Sequence, residues 1–504
     1  MAFKIFGGRG LGHPLATERG ADEALAALPK GNAEKALEEL HDWIVSVGAA
    51  DGLKPERRAE ILLTLDEAAL PFHRKLTRDY VTDSKLSKEQ EARLWRALSV
   101  FWKELAAAYS SGIDQCAADA AVAGRLKAHL PLICVRALRA FACQIKWQCM
   151  HYEPEGAETW KAIGRVYRHA EEKKIHGEMI RFYPNSSQTS SAEREFVKLL
   201  MYAASSPDSL SPRNIELADW IVAHMGASFV FSAAHQPQLT YNYVDLDSGL
   251  PPKRLMQTPA PSPNLRFFAA GPASGELDNV IRVLESGAPP YTLNLGGAYD
   301  SAKVLSACLR LKACWSAPPP VRKSDRYEVS HSLSVITDFA NIISLLQGGK
   351  PVAGPEAWVT ENICAGGVAA VVSNVQGDAL RVGRLVALSV AGGSGAYSVG
   401  VIRRWNRRPK LQSGVAIRTF AKAAFPITFG GIASQDAILL NDDRNLGEEV
   451  LICLQVGGFD KRVPPILNFG NEEFLLVPLA IIESDEDFEV ARYRVMRSGD
   501  GGQA

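Results

Sequence analysis

The proline triplet Pro318-Pro319-Pro320 constrains the fold of this chain more than any other feature, because the hydrophobic period changes across it. Proline lacks a backbone N–H and has a fixed φ, so three in succession end any helix or central strand. Before the triplet, apolar residues recur mainly at intervals of three and four. After it, from Val321 to Arg497, they alternate or run in short blocks bounded by Gly, Asp and Asn. That second pattern predicts one or two small antiparallel barrels. A chain of 504 residues also exceeds a single ordinary core, so several domains are expected.

The helical half reads as one amphipathic segment after another. In AEKALEELHDWIVSV, residues Leu37, Leu40, Trp43, Ile44 and Val47 form one apolar stripe. Ser87 and Gln90 stand at capping-box spacing before a stripe of Leu94, Trp95, Leu98, Phe101, Trp102 and Leu105. The stretches from Ala118 to Tyr152, Glu158 to Phe182 and Ser191 to His224 continue in the same manner, which predicts a helical domain over residues 1–225. Beyond Gly226, ASFVFS and LTYNYVDL read as short strands and Leu277 to Leu311 regains helical spacing, so residues 226–317 are expected to be a connecting α/β segment. Within the β region, DFANIISLLQGG (Asp338 to Gly349) departs from alternation and predicts a helical insertion.

Composition narrows the function classes. Apolar residues make up 47% and charged residues 22%, as in globular proteins. Lys plus Arg equals Asp plus Glu at 56 each, so no global field favours nucleic acid or an anionic membrane, and any anion site must be local. No run of about 18 uncharged apolar residues occurs and the start lacks a secretory core, so no membrane span and a cytoplasmic location are expected. The eight cysteines show neither CxxC pairing nor a disulfide framework and read as reduced, mostly buried thiols. The opening GGRGLGHP lacks the GK[ST] of a phosphate loop and reads as a flexible tail. HxxxH, HExxH and GxSxG are all absent, and His151 beside Cys149 reads as a helix neighbour, so no metal site and no catalytic residue is assigned.

Chemistry concentrates after the prolines. Arg322 and Arg326 stand on an exposed arm leading into a strand, and guanidiniums so placed are able to grip a phosphate bidentately and stack on a purine. Taken alone they also read as solvated charges beside Lys323 and Asp325. A later strand ends in Asn362-Ile363-Cys364-Ala365-Gly366-Gly367. A second basic cluster, Arg403, Arg404, Arg407, Arg408 and Lys410 around Trp405, reads either as a nucleic-acid surface or, better, as a solvated hairpin that draws in an anionic ligand.

Arg-x-x-x-Arg before a first strand, then Asn-x-Cys-x-Gly-Gly, then GVAAVV, RVGRLVALSV, YSVGVIRRW and SGVAIRTF, resembles the PilZ domain, a bacterial receptor for cyclic di-GMP, over residues 318–420. The resemblance implies a ligand-binding set of Arg322, Arg326, Asn362, Cys364, Gly366 and Gly367. The arginines would meet phosphates and guanine, Asn362 a guanine edge, and the glycines would let the backbone approach or adopt positive φ. Cys364 stands where the family usually has serine, replacing a strong hydroxyl donor with a weak thiol, and the helical insertion lengthens the gap between the motifs. No cyclase or phosphodiesterase motif is present, so the resemblance implies a non-enzymatic receptor without a cofactor. It couples cyclic di-GMP to motility, pilus, surface-attachment or exopolysaccharide output, with a protein partner on the helical domain and nucleic acid disfavoured. The alternative is a degenerate PilZ scaffold that binds a protein partner without the nucleotide. The expected fold class is therefore multi-domain α+β, with the helical domain, the connecting segment, a PilZ-like antiparallel barrel over 318–420 and a second β unit over 421–504.

Overall fold

A computed structural model describes residues 13–82, 86–184, 186–293, 295, 299–317, 324–373, 380–391, 397–408, 412–430, 435–441, 446–469, 472–485 and 487–497. The glycine-rich opening segment, the proline triplet, Arg322, Lys323 and Lys410 lie outside the described residues. The chain divides into two compact units, Met1–Pro207 with Pro212–Pro320 and Asp208–Ser211 with Val321–Ala504.

The first unit contains α1 (Glu18–Ala27), α2 (Ala33–Gly48), α3 (Pro55–Thr82), α4 (Lys88–Ala118), α5 (Ala120–Leu126), α6 (Leu130–Met150) and α7 (Ala157–Glu172). A two-stranded hairpin of β1 (Ile180–Arg181) and β2 (Thr189–Ser190) precedes α8 (Ala192–Ala204) and α9 (Pro212–His224). Most of the predicted stripe residues are packed: Leu37, Leu40, Ile44 and Val47 on α2 are buried, as are Leu94, Leu98, Phe101, Trp102 and Leu105 on α4, which packs on α6, while Trp43 and Trp95 are half-buried. Ser87 and Gln90 close the expected capping box at the start of α4. No single helix among the described residues is long and apolar enough to cross a membrane.

After α9, strands β3 (Val230–Ser232), β4 (Asn242–Asp245), β5 (Lys253–Arg254) and β6 (Leu265–Ala269) form a sheet in the order β3-β6-β4-β5, followed by α10 (Ala273–Glu285) and α11 (Ser301–Trp315). The helical spacing from Leu277 to Leu311 thus belongs to two helices. The chain leaves α10 through Gly287 at φ +82, whose N–H bonds the Leu284 carbonyl, and Pro289-Pro290 prevents the helix from resuming.

A buried ionic cluster ties α3 to α6. Arg136, 1% exposed, donates to the carbonyls of Phe182 and Leu63 at 2.7 and 3.1 Å, to Asp66 at 3.2 Å and to Glu67 at 2.6 Å. Tyr109 and Tyr183 each donate to the Asp66 carboxylate at 3.0 Å. Burial alone would lower the Arg136 pKa, but Asp66 and the surrounding groups more than offset it, so the guanidinium stays charged.

The second unit holds two barrels. The first contains β7 (Tyr327–Glu328), β8 (Ser332–Thr337), α12 (Phe339–Leu346), β9 (Glu356–Cys364), β10 (Gly367–Ser373), β11 (Leu385–Val390), β12 (Ser398–Arg408) and β13 (Gln412–Ala421). Strand order is β10-β13-β12-β11-β8-β9-β7, and β9 also pairs with β10, which closes the ring. Trp358, Val335, Val386, Ile402 and Val415 fill its interior. The second barrel is closed by β14 (Ala423–Gly430), β15 (Gln435–Asn441), β16 (Glu449–Leu454), β17 (Ile466–Phe469), β18 (Glu472–Ser484) and β19 (Glu489–Arg497), in the order β14-β15-β16-β19-β18-β17.

One core joins the barrels. Ile336, Leu385, Ala387, Val399 and Val401 from the outer face of the first barrel pack with Ile438, Leu440, Cys453 and Val490 of the second, and α12 inserts Phe339, Ile342 and Ile343 between them. Strands buried on both faces read as continuous apolar runs, which accounts for LVALSV, AILL and VLICL. The helical insertion is an inter-barrel wedge.

Two stability outcomes follow. Arg136→Ala leaves the Asp66 carboxylate buried without its cation and should cost about 3–5 kcal/mol, with partial recovery in Arg136→Met/Asp66→Asn; denaturant titration of the full chain checks both. Ile342→Ala empties part of the shared core and should cost about 2–5 kcal/mol in the same assay.

Candidate functional site

Of the residues singled out after the prolines, Asn362, Cys364 and Gly367 lie on one outer face of the first barrel. The interior residue Ala370 on β10 faces Thr360 on β9 and Val415 on β13, so these three point inwards. Asn362 pairs with Ala369, and Ala369 with Ala416. Cys364 pairs with Gly367, and Gly367 with Arg418. These two cross-strand rows therefore share the outer face.

The expected strand YEVSHSLSVI is interrupted, and the interruption completes the site. β9 carries a bulge, since Ala369 opposes Asn362 while Ala370 opposes Thr360, leaving Glu361 as the extra residue. Thr360 bridges the break between β7 and β8: its hydroxyl donates to the Val329 carbonyl at 3.0 Å and accepts from the His331 N–H at 2.7 Å. Beyond the break, Tyr327 pairs with Ile363 and Glu328 with Asn362. Continuing that register by one residue sets Arg326 across from Cys364. Arg326 is exposed and has no ion-pair partner among the described residues.

The two glycines differ in role. Cys364 pairs with Gly367 across a turn of Ala365 and Gly366, and neither glycine has positive φ. A Cβ on Gly366 would meet nothing within 4 Å, whereas one on Gly367 would fall 2.2 Å from the Ile417 carbonyl oxygen. Gly367 is thus required by close approach of β13.

The second basic cluster lies mainly along β12 and is largely neutralised. Arg408 grips Glu361 with two contacts, at 2.5 and 3.0 Å, and that hydrogen bonding holds the Glu361 carboxyl below its ordinary pKa. Arg403 grips Glu483 of β18 with both nitrogens, one at 2.7 Å, and the Arg407 guanidinium lies 5.6 Å from the centre of the Trp405 ring. Arg418 also reaches Glu483, at 2.8 Å, and lies 4.9 Å from the centre of the Phe420 ring. The partners Glu361 and Glu483 were invisible in the cluster's own sequence, and Arg418 escaped notice although it alternates outward with Gly414 and Ala416 in SGVAIRTF. Among the described residues no group of three or more His, Cys, Asp or Glu is arranged to hold a metal ion.

Residues 19–236 match a family model described as the N-terminal domain of the cyclic-di-GMP receptor FimW. The match supports a cyclic-di-GMP receptor. It covers less than half of the chain and lies in the helical region, so it shares no residue with the barrel face described above. No curated protein matches the chain.

The close approach at Gly367 is directly testable. Gly367→Ala should destabilise the protein by about 1–3 kcal/mol through steric overpacking, while Gly366→Ala should leave thermal unfolding nearly unchanged.

Proposed function

We propose that this chain is a non-enzymatic cyclic di-GMP effector that binds its ligand on the outer face formed by β7, β9, β10 and β13. Arg326, with Arg322 on the arm before it, supplies guanidiniums for phosphates and guanine faces. Asn362 meets a guanine edge, and Cys364, Gly366 and Gly367 form the floor. The observation that carries this reading is the β7–β9 pairing, whose register sets Arg326 beside Cys364 and next to Asn362 on an outer face, none of the three belonging to the core shared with the second barrel. The match of the helical region to a receptor of the same nucleotide supports the ligand independently.

The proposal includes the PilZ-like character of the first barrel, a cytoplasmic location, and an output in motility, pilus function, surface attachment or exopolysaccharide. The helical domain serves as the surface for a protein partner. Binding orders the arginine arm, and the population of receptor conformations shifts to the extent that the ligand prefers one of them.

Calorimetric titration of cyclic di-GMP into the full chain tests the reading. Saturable binding is expected, weakened roughly 10- to 100-fold in Arg326→Ala through loss of a charge-assisted contact. Cys364→Ser should bind a few-fold more tightly, because a hydroxyl is a better donor and acceptor than a thiol. Absence of heat and of thermal stabilisation at saturating nucleotide would overturn the receptor reading and leave a scaffold for a protein partner.

A further inference from the structure

We propose that Arg418 is a third ligand-binding arginine of this face, and that Glu483 of the second barrel occupies it until the anionic ligand takes its place. The inference rests on the reading of the face as a nucleotide site and adds two residues to it.

Position comes first. Arg418 stands in the same cross-strand row as Gly367 and Cys364, and the register of β7 carries that row on to Arg326. Three strand spacings separate the two arginine backbones, about 14 Å. Both side chains are long, and the cross-strand row between them holds Cys364 and Gly367. A flat ligand with two phosphodiester groups fits between two such cations, which approach it from opposite edges.

Glu483 is aimed at this face by a bulge in its own strand. Ile481 pairs with Ala491 but Glu483 pairs with Val490, so Ile482 is an extra residue and Glu483 joins the side of β18 that faces the shared core. Its side chain is 9% exposed, and it holds two arginines unequally. Arg403, 22% exposed, grips it with both nitrogens, whereas Arg418, 43% exposed, gives it one contact at 2.8 Å. When Arg418 leaves, Arg403 still neutralises the carboxylate, so no buried charge is stranded. The contact that is lost is a half-exposed pair of the weak kind. A phosphodiester offers the freed guanidinium a bidentate partner of like charge to the one it gave up. Glu483 thereby sets the ligand affinity of the face, and occupancy of the face releases one of the ties between the two barrels.

The test is calorimetric titration of cyclic di-GMP into full-length wild type, Arg418→Ala, Glu483→Gln and the double variant. Arg418→Ala is expected to weaken binding about tenfold or more. Glu483→Gln is expected to tighten it several-fold, and the double variant to match Arg418→Ala alone, because Glu483 acts through Arg418. Arg418 is exposed, so its variant remains informative if Glu483→Gln fails to fold, and a shallower salt dependence of binding in Arg418→Ala is a second readout. Wild-type binding that Arg326→Ala abolishes but Arg418→Ala leaves intact would overturn this inference while sparing the receptor reading. No binding by either wild type or Glu483→Gln would overturn both.

Discussion

The shared apolar core between the two barrels is the constraint on which the arrangement of the second unit depends. Ile336, Leu385, Val399 and Val401 face outward from a barrel whose interior is already full, and they stay dry only because Ile438, Leu440, Cys453 and Val490 cover them. Burial of this kind is non-directional and proportional to area, so it fixes which sides meet without specifying polar detail. It removes the outer surface of β8, β11 and β12 from water. Arg326, Asn362, Cys364 and Arg418, on β7, β9 and β13 or next to them, lie outside that core. The location of the candidate site is in this sense a by-product of where the second barrel docks.

Polar chemistry then tunes the exposed face. Glu361 pairs with Arg408, and Glu483 is shared by Arg403 and Arg418, whereas Arg326 is an exposed cation without an ion-pair partner among the described residues. In a chain with balanced overall charge, the distribution of these pairs rather than a long-range field sets the local potential. Two bulges, at Glu361 in β9 and at Ile482 in β18, direct the acidic side chains involved. Bulges next to sites re-aim side chains without altering the rest of the strand.

Much of the fold was legible in advance. The stripes on α2 and α4 are those the three-and-four spacing named, the capping box forms, and the insertion at Asp338 to Gly349 is helical. Regularity failed to predict where elements stop: the spacing from Leu277 to Leu311 spans two helices, and YEVSHSLSVI is two strands. Both breaks depend on local backbone chemistry, a left-handed glycine before two prolines in one case and a bulge in a distant strand in the other. The candidate site residues were named through a motif, and Gly367 has a steric reason that the motif alone did not supply.

The sequence by itself determined the period of each segment, the proline-marked change from helix to strand, the absence of the catalytic and metal motifs sought, and the short polar and glycine motif proposed as a binding rim. These are local properties, set by side-chain spacing and backbone freedom within a few residues. Only the tertiary structure decided that the helical insertion is a wedge between barrels, that the basic cluster on β12 is neutralised, and that Arg418 shares a row with Cys364 and Gly367 while held by Glu483. Each of these depends on register between strands far apart in the chain. Register follows from which apolar faces are buried together, and no local window contains that information.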